Sequence, residues 1–176
     1  MDLGVVSEYG DVGVLAESVP SAELGIDDCP ALRSALATAS NVPVVGDNCG
    51  EAVFDRMLIE QMRRVRDCRY ACIVRGRPIV NDVAAQDAVS AGIDRIATLL
   101  DTGSGAPGLV LSACSAGTRE QFFAADLVIA EGQGNDEAIS EAPRDVFFLL
   151  MVKCPVVSRH LHAPVGVAVT KHHLAP

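Results

Sequence analysis

The sequence predicts an α/β fold: a mostly parallel sheet with helices on both faces. Short apolar runs recur at residues 42–45, 70–74, 95–100, 127–130, 146–152 and 165–169, and helical patterns fill the intervals between them. Runs this brief and unbroken suit strands buried on both sides, which is the signature of parallel sheets built from βα units. Composition agrees: 49% of the 176 residues are apolar and 21% charged, the balance of an ordinary globular domain. Aromatic residues are only 4% and Trp is absent, so Val, Leu, Ile and Ala must fill the core.

Residues 1–40 are broken by Gly, Ser, Glu and Pro, and are expected to form a small amino-terminal region with one helix, 29–39. Asp27-Asp28 stand before that helix, where carboxylates suit an N-cap and the helix dipole. The α/β unit is expected over 41–176. Strand 42–45 is followed by helix 51–66, strand 70–74 by helix 84–91, and strand 95–100 by the Asp101-Thr102-Gly103 turn. Residues 102–108, rich in Gly, read as a flexible loop within the unit. A short helix near 118–125, strand 127–130 and a helix opening at Gly132-Gln133-Gly134-Asn135 come next. Strand 146–152 runs into Lys153-Cys154-Pro155, with Pro placed for the first turn of a helix through 161. A last strand at 165–169 leaves His172-His173 as a solvated tail.

The net charge of −9 argues against a binder of nucleic-acid backbones, which would carry a basic stripe. The apolar stretch at 146–152 is far too short to span a bilayer. Met1-Asp2-Leu3-Gly4 lacks the basic start and apolar segment of a secretory leader, so a cytoplasmic address is expected. The six cysteines contain no Cys-x-x-Cys pair and complete no zinc set, so they read as reduced, mostly buried thiols. No Gly-x-Gly-x-x-Gly follows the first strand of the α/β unit, which weakens a dinucleotide-binding reading.

Chemistry concentrates behind the strands. Gly46-Asp47-Asn48-Cys49-Gly50-Glu51 puts a carboxylate and a carboxamide at the carboxyl end of a buried strand, where open α/β sheets bind ligands. Their oxygens are hard donors suited to magnesium or manganese. The same block reads equally as a turn with an N-cap. Asn81-Asp82 follow the next strand and offer a second carboxylate, or an N-cap for helix 84–91. Gly132-Gln133-Gly134-Asn135 could cradle an anion on backbone N–H groups, though Gly-x-Gly is common in turns. Lys153 follows the most apolar strand and can meet a phosphate as a point charge.

Together, the block from Gly46 to Asp55, Arg75-Gly76-Arg77-Pro78-Ile79-Val80-Asn81-Asp82 with Gln86-Asp87-Ala88, Glu131-Gly132-Gln133-Gly134-Asn135, and Phe147 through Pro155 resemble the damage-control phosphatases. These are metal-dependent enzymes long filed as a domain of unknown function, and the prokaryotic-type subfamily is the nearest in pattern. The blocks occur in family order across roughly residues 24–170. The resemblance implies a Rossmann-like α/β fold and hydrolysis of small phosphometabolites: sugar phosphates, phosphopantetheine-like compounds or related damaged phosphate monoesters. It implies one divalent cation (magnesium, manganese, cobalt or nickel) on Asp47, Asn48 and Asp82. Substrate would be held by Asp47, Asn48, Gly134, Asn135 and Lys153, with Asp47, Glu51 and Lys153 as the catalytic set.

Three departures from the family pattern stand out. Glu131 takes the place of a usual lysine, Asp136 that of a usual aromatic, and Cys49 that of a small residue. Family members also carry a larger helical region ahead of the first motif, so residues 1–40 read as a shortened remnant of it. A small phosphorylated metabolite is the expected partner, with no nucleic acid or membrane, and exposed apolar surface would allow a homo-oligomer. The alternative function is a weak or inactive homologue that binds phosphometabolites or a partner protein without turnover.

Overall fold

The central strands send alternate side chains into two cores. In β2 (Asn41–Val45), Val42 and Val44 face one core and Val45 the other. In β3 (Arg69–Val74), Cys72 and Val74 face the first and Ile73 the second. The same alternation runs through β5 (Ile129–Glu131) and β6 (Val146–Met151), where Ile129 and Phe147 oppose Ala130 and Phe148. A strand buried on both faces therefore reads as an unbroken apolar run, as the sequence did.

The computed structural model describes residues 23–175. Its seven-stranded sheet has the order β1-β7-β6-β5-β2-β3-β4, where β1 is Ile26–Asp27, β4 Thr98–Asp101 and β7 Ala168–His173. Strands β6, β5, β2, β3 and β4 are mutually parallel, and β7, with β1 parallel to it, runs antiparallel to its neighbour β6. Helices α1 (Cys29–Thr38), α2 (Ala52–Val65) and α3 (Ala85–Ala91) cover one face through Leu36, Ile59, Met62 and Ala88. Helices α4 (Ala116–Ala124), α5 (Gln133–Ile139) and α6 (Pro155–Leu161) cover the other through Phe122, Ile139, Val157 and Leu161.

Helix α2 shows why these segments coil. It holds no Gly or Pro, buries Ala52, Asp55, Ile59 and Met62 at helical spacing, and ends with Arg63 and Arg64 against its negative pole. Its single buried Ile59 contributes enough that truncation to Ala would cost about 2–5 kcal/mol.

The structure revises several expected elements. Residues 93–95 form one 3₁₀ turn after left-handed Gly92, so β4 begins three residues later than expected. The last strand is Ala168–His173, not 165–169, and it contains the histidines read as a tail. The His172 ring stacks on Phe147 at 4.0 Å, and His173 Nε2 lies 3.1 Å from the Ala142 carbonyl. Asp28 sits at the N-cap position of α1 without capping it. Its carboxylate instead accepts from His172 N–H at 2.7 Å, tying α1 to β7. Residues 26–38, ahead of the boundary placed at 40, thus supply β1 and α1 to the same sheet. Among the described residues, no helix is long and apolar enough to cross a membrane.

Candidate active site

Strand order decides where the site lies. From β2 the chain builds outward through β3 and β4 on one side, then returns to add β5 and β6 on the other. Connections leaving the carboxyl ends of β2 and β5 therefore diverge and open a crevice between them, the switch point of an open α/β sheet. The turns leaving β6, β5, β2 and β3 hold Lys153, Gly132–Asn135, Gly46–Glu51 and Arg75–Asp82 side by side on one edge.

Backbone bonds stitch the two acidic turns together. Val83 N–H donates to the Asp47 carbonyl and Cys49 N–H to the Asn81 carbonyl, each at 2.8 Å, and Asn48 pairs with Asp82 as an isolated bridge. Neither Asn48 nor Asp82 spends its side chain as a cap. Asn48 makes no capping bond, and Asp87 is the residue that accepts from Ala84 N–H at the start of α3. The Asn48 amide nitrogen donates to Asp47 Oδ2 at 2.8 Å and Glu51 Oε2 at 3.4 Å, so its oxygen is the atom that could accept a ligand.

Asp47, Asn48 and Glu51 are all buried. Burial first, then the carboxylates of Glu51 and Asp82, push the Asp47 carboxyl up to about 7, while Lys153 and Arg75 pull it back. The β5 turn closes directly on this group. Gly132 has φ of +78°, and a Cβ there would lie 1.9 Å from Asp47 Oδ2, so only glycine fits.

Arg75 is the functional residue that the sequence reading left without a role. Its side chain is fully buried, with Nε 2.7 Å from Asp82 Oδ2 and Nη2 donating to Asn135 Oδ1 at 3.1 Å. Its place as the first charged residue after a buried strand was the available signal. Asn135, expected to hold phosphate, is also fully buried, and its amide donates to the carbonyls of Gly46 and Glu131. In this geometry its amide nitrogen ties the β2 turn to the β5 turn, and its oxygen ties both to Arg75.

Glu131 was expected to set an anion beside the cradle. Its side chain instead meets Asp55 of α2. Burial raises both carboxyls; the charge of Asp55 and its hydrogen bond push Glu131 further up, whereas the bond to Glu131 holds Asp55 back. Adjacent carboxyls both raised in this way favour one proton shared between them.

The donor set fits a hard divalent ion. It is all oxygen and draws two carboxylates and an amide from adjoining turns, and negative charge from Glu51 and Asp82 adds to burial in raising Asp47. Among the described residues, no three His, Cys, Asp or Glu side chains cluster as a metal cage.

Comparison with known proteins follows the same lines. Residues 1–169 match the profile of the damage-control phosphatase ARMT1-like domain. Damage-control phosphatase PH1575 of Pyrococcus horikoshii is 35% identical over 170 residues, 96% of this chain and 59% of that protein. A damage-control phosphatase of Archaeoglobus fulgidus is 37% identical over 136 residues, 76% of this chain and 47% of that one. The crystal structure of the Pyrococcus horikoshii DUF89 family protein matches with a TM-score of 0.87 at 34% identity, covering 97% of this chain and 62% of that chain. The chain thus spans less than two thirds of the length of these relatives. By profile, identity and fold, it belongs to the damage-control phosphatase family.

Proposed function

We propose that the chain is the catalytic α/β part of a divalent-metal-dependent phosphatase for small phosphorylated metabolites. The observation that carries this reading is the convergence of Asp47, Asn48 and Asp82 from two stitched turns at the sheet's switch point. Sugar phosphates, phosphopantetheine-like compounds and related damaged phosphate monoesters are the substrate class suggested by the family.

In this account Asp47, Asn48 and Asp82 would hold one magnesium, manganese, cobalt or nickel ion. When bound, that ion supplies charge neutralisation on the phosphoryl oxygens. Lys153 and backbone N–H groups at the start of α5 would receive the remaining phosphoryl oxygens. Asp47, as one of the residues that would hold the ion, would also take direct part in the displacement. Glu51, hydrogen-bonded through Asn48 to the same carboxylate, orients the attacking water. Arg75 fixes Asp82 so that one of its oxygens stays available to the ion. The phosphorus–oxygen ester bond breaks as water's oxygen is added, giving an alcohol and inorganic phosphate.

Hydrolysis of an aryl phosphate tests this directly. Turnover is expected only with added divalent ion, with none in Asp47→Ala or Asp82→Asn. Equal turnover in chelator would contradict the metal-dependent reading. A second reading, phosphometabolite binding without turnover, draws on the Arg75–Asp82 pair, which lowers the negative charge offered to a cation. Saturable phosphate-ester binding with no hydrolysis under any divalent ion would select it.

A further inference from the structure

Helix α5 carries polar side chains, Gln133 and Asp136, that take no part in the proposed reaction. Asp136 is fully buried, and neither of its carboxylate oxygens has a hydrogen-bond partner. One turn earlier on the same helix, Gln133 Oε1 is likewise buried and unpartnered, while its Nε2 is held by Glu137 at 2.8 Å and by Cys154 Sγ at 3.7 Å. From α6, His160 Nε2 comes to 3.9 Å from Asp136 Oδ2, with its ring half exposed. A buried carboxylate and amide oxygen without donors are costly, and their persistence calls for something that accepts lone pairs.

The spacing is too long for a hydrogen bond but suits two ligands of one ion. Oxygen and imidazole ligands stand about 2.0–2.2 Å from zinc, so two of them on a tetrahedral ion lie roughly 3.3 Å apart. A small rotation of the half-exposed His160 ring closes that difference. Residues 133 and 136, three apart on a helix, share one face. We propose that Asp136, Gln133 and His160 form a second cation site, selective for ions that accept imidazole, such as zinc, cobalt or nickel. It is separate from the oxygen-only set at Asp47, Asn48 and Asp82. Lys171, His173 and Glu137 also face the Asp136 carboxylate electrostatically. The two basic groups compete with an ion for it, so the site is expected to bind more weakly than a closed structural zinc site.

The test is a count of cobalt bound to the full chain after chelation and dialysis, by elemental analysis with visible absorption of the bound ion. Asp47→Ala, which removes the first site, is expected to retain one cobalt with an imidazole-type spectrum. Adding His160→Ala to that background is expected to remove it, whereas His162→Ala leaves it in place. Asp136→Asn repeats the loss without touching the exposed ring. No cobalt bound to Asp47→Ala would overturn the site. So would cobalt bound there that survives His160→Ala or is lost in His162→Ala. None of these results depends on whether the chain hydrolyses phosphate esters.

Discussion

Replacing Arg75 probes the frame that holds both acidic turns and the β5 turn in register. The guanidinium is fully buried, pairs with Asp82 at 2.7 Å and donates to Asn135 at 3.1 Å. Arg75→Ala leaves Asp82, only 12% exposed, without its cation and strips Asn135 of a donor. Removing one partner of a buried pair typically costs about 3–5 kcal/mol. Arg75→Lys keeps the charge but cannot span both partners, so a loss of about 1.5–3 kcal/mol is expected, the scale of one charged hydrogen bond. Urea denaturation of the chelated protein, at unchanged denaturant slope, measures both. A cycle with Asp82→Ala should return a coupling of at least about 1 kcal/mol. A loss below about 1 kcal/mol in Arg75→Ala would refute the strut.

Other consequences follow from the same geometry. Asp47 binds its proton more tightly folded, near pH 7, than its usual 3.8. The chelated protein therefore loses stability as pH rises across that window, by at most roughly 4 kcal/mol at 1.36 per unit. Asp47→Asn should flatten that slope in denaturation at pH 4 to 8, and an unchanged slope would count against a raised Asp47. Gly132→Ala drives a Cβ into Asp47 and forces φ of +78° on an alanine, so it should cost roughly 1–3 kcal/mol and abolish aryl-phosphate hydrolysis. Full activity there would mean the two turns do not touch. Glu131→Gln keeps a donor for Asp55 and should stay within about 1 kcal/mol of the parent at pH 7, whereas Glu131→Ala should lose about 1–3 kcal/mol. Equal stability of the two variants would dissolve the proton-sharing pair.

The parallel core was legible because strands buried on both faces are apolar without interruption. Residues 42–45, 70–74 and 146–152 announced β2, β3 and β6 to within about a residue or two. The edge was not. β1 is two residues long, and β7 carries Lys171-His172-His173, polar side chains that look like a tail unless Phe147 is known to lie under an imidazole. The acidic turns were legible as ligand candidates because each sits directly behind a strand. Sequence could not choose between ligand and cap, since that depends on backbone bonds between segments more than thirty residues apart, such as Val83 to Asp47. Arg75 and the Asp55–Glu131 pair stayed hidden for the same reason: their partners, Asn135 and α2, are remote in the chain.

Anomalous diffraction from crystals grown with manganese and inorganic phosphate tests the central claim most directly. The expected result is a manganese peak within ligand distance of Asp47, Asn48 and Asp82, with phosphate between it and Lys153. A manganese ion bound elsewhere, with those three side chains keeping only their protein partners, would contradict the account.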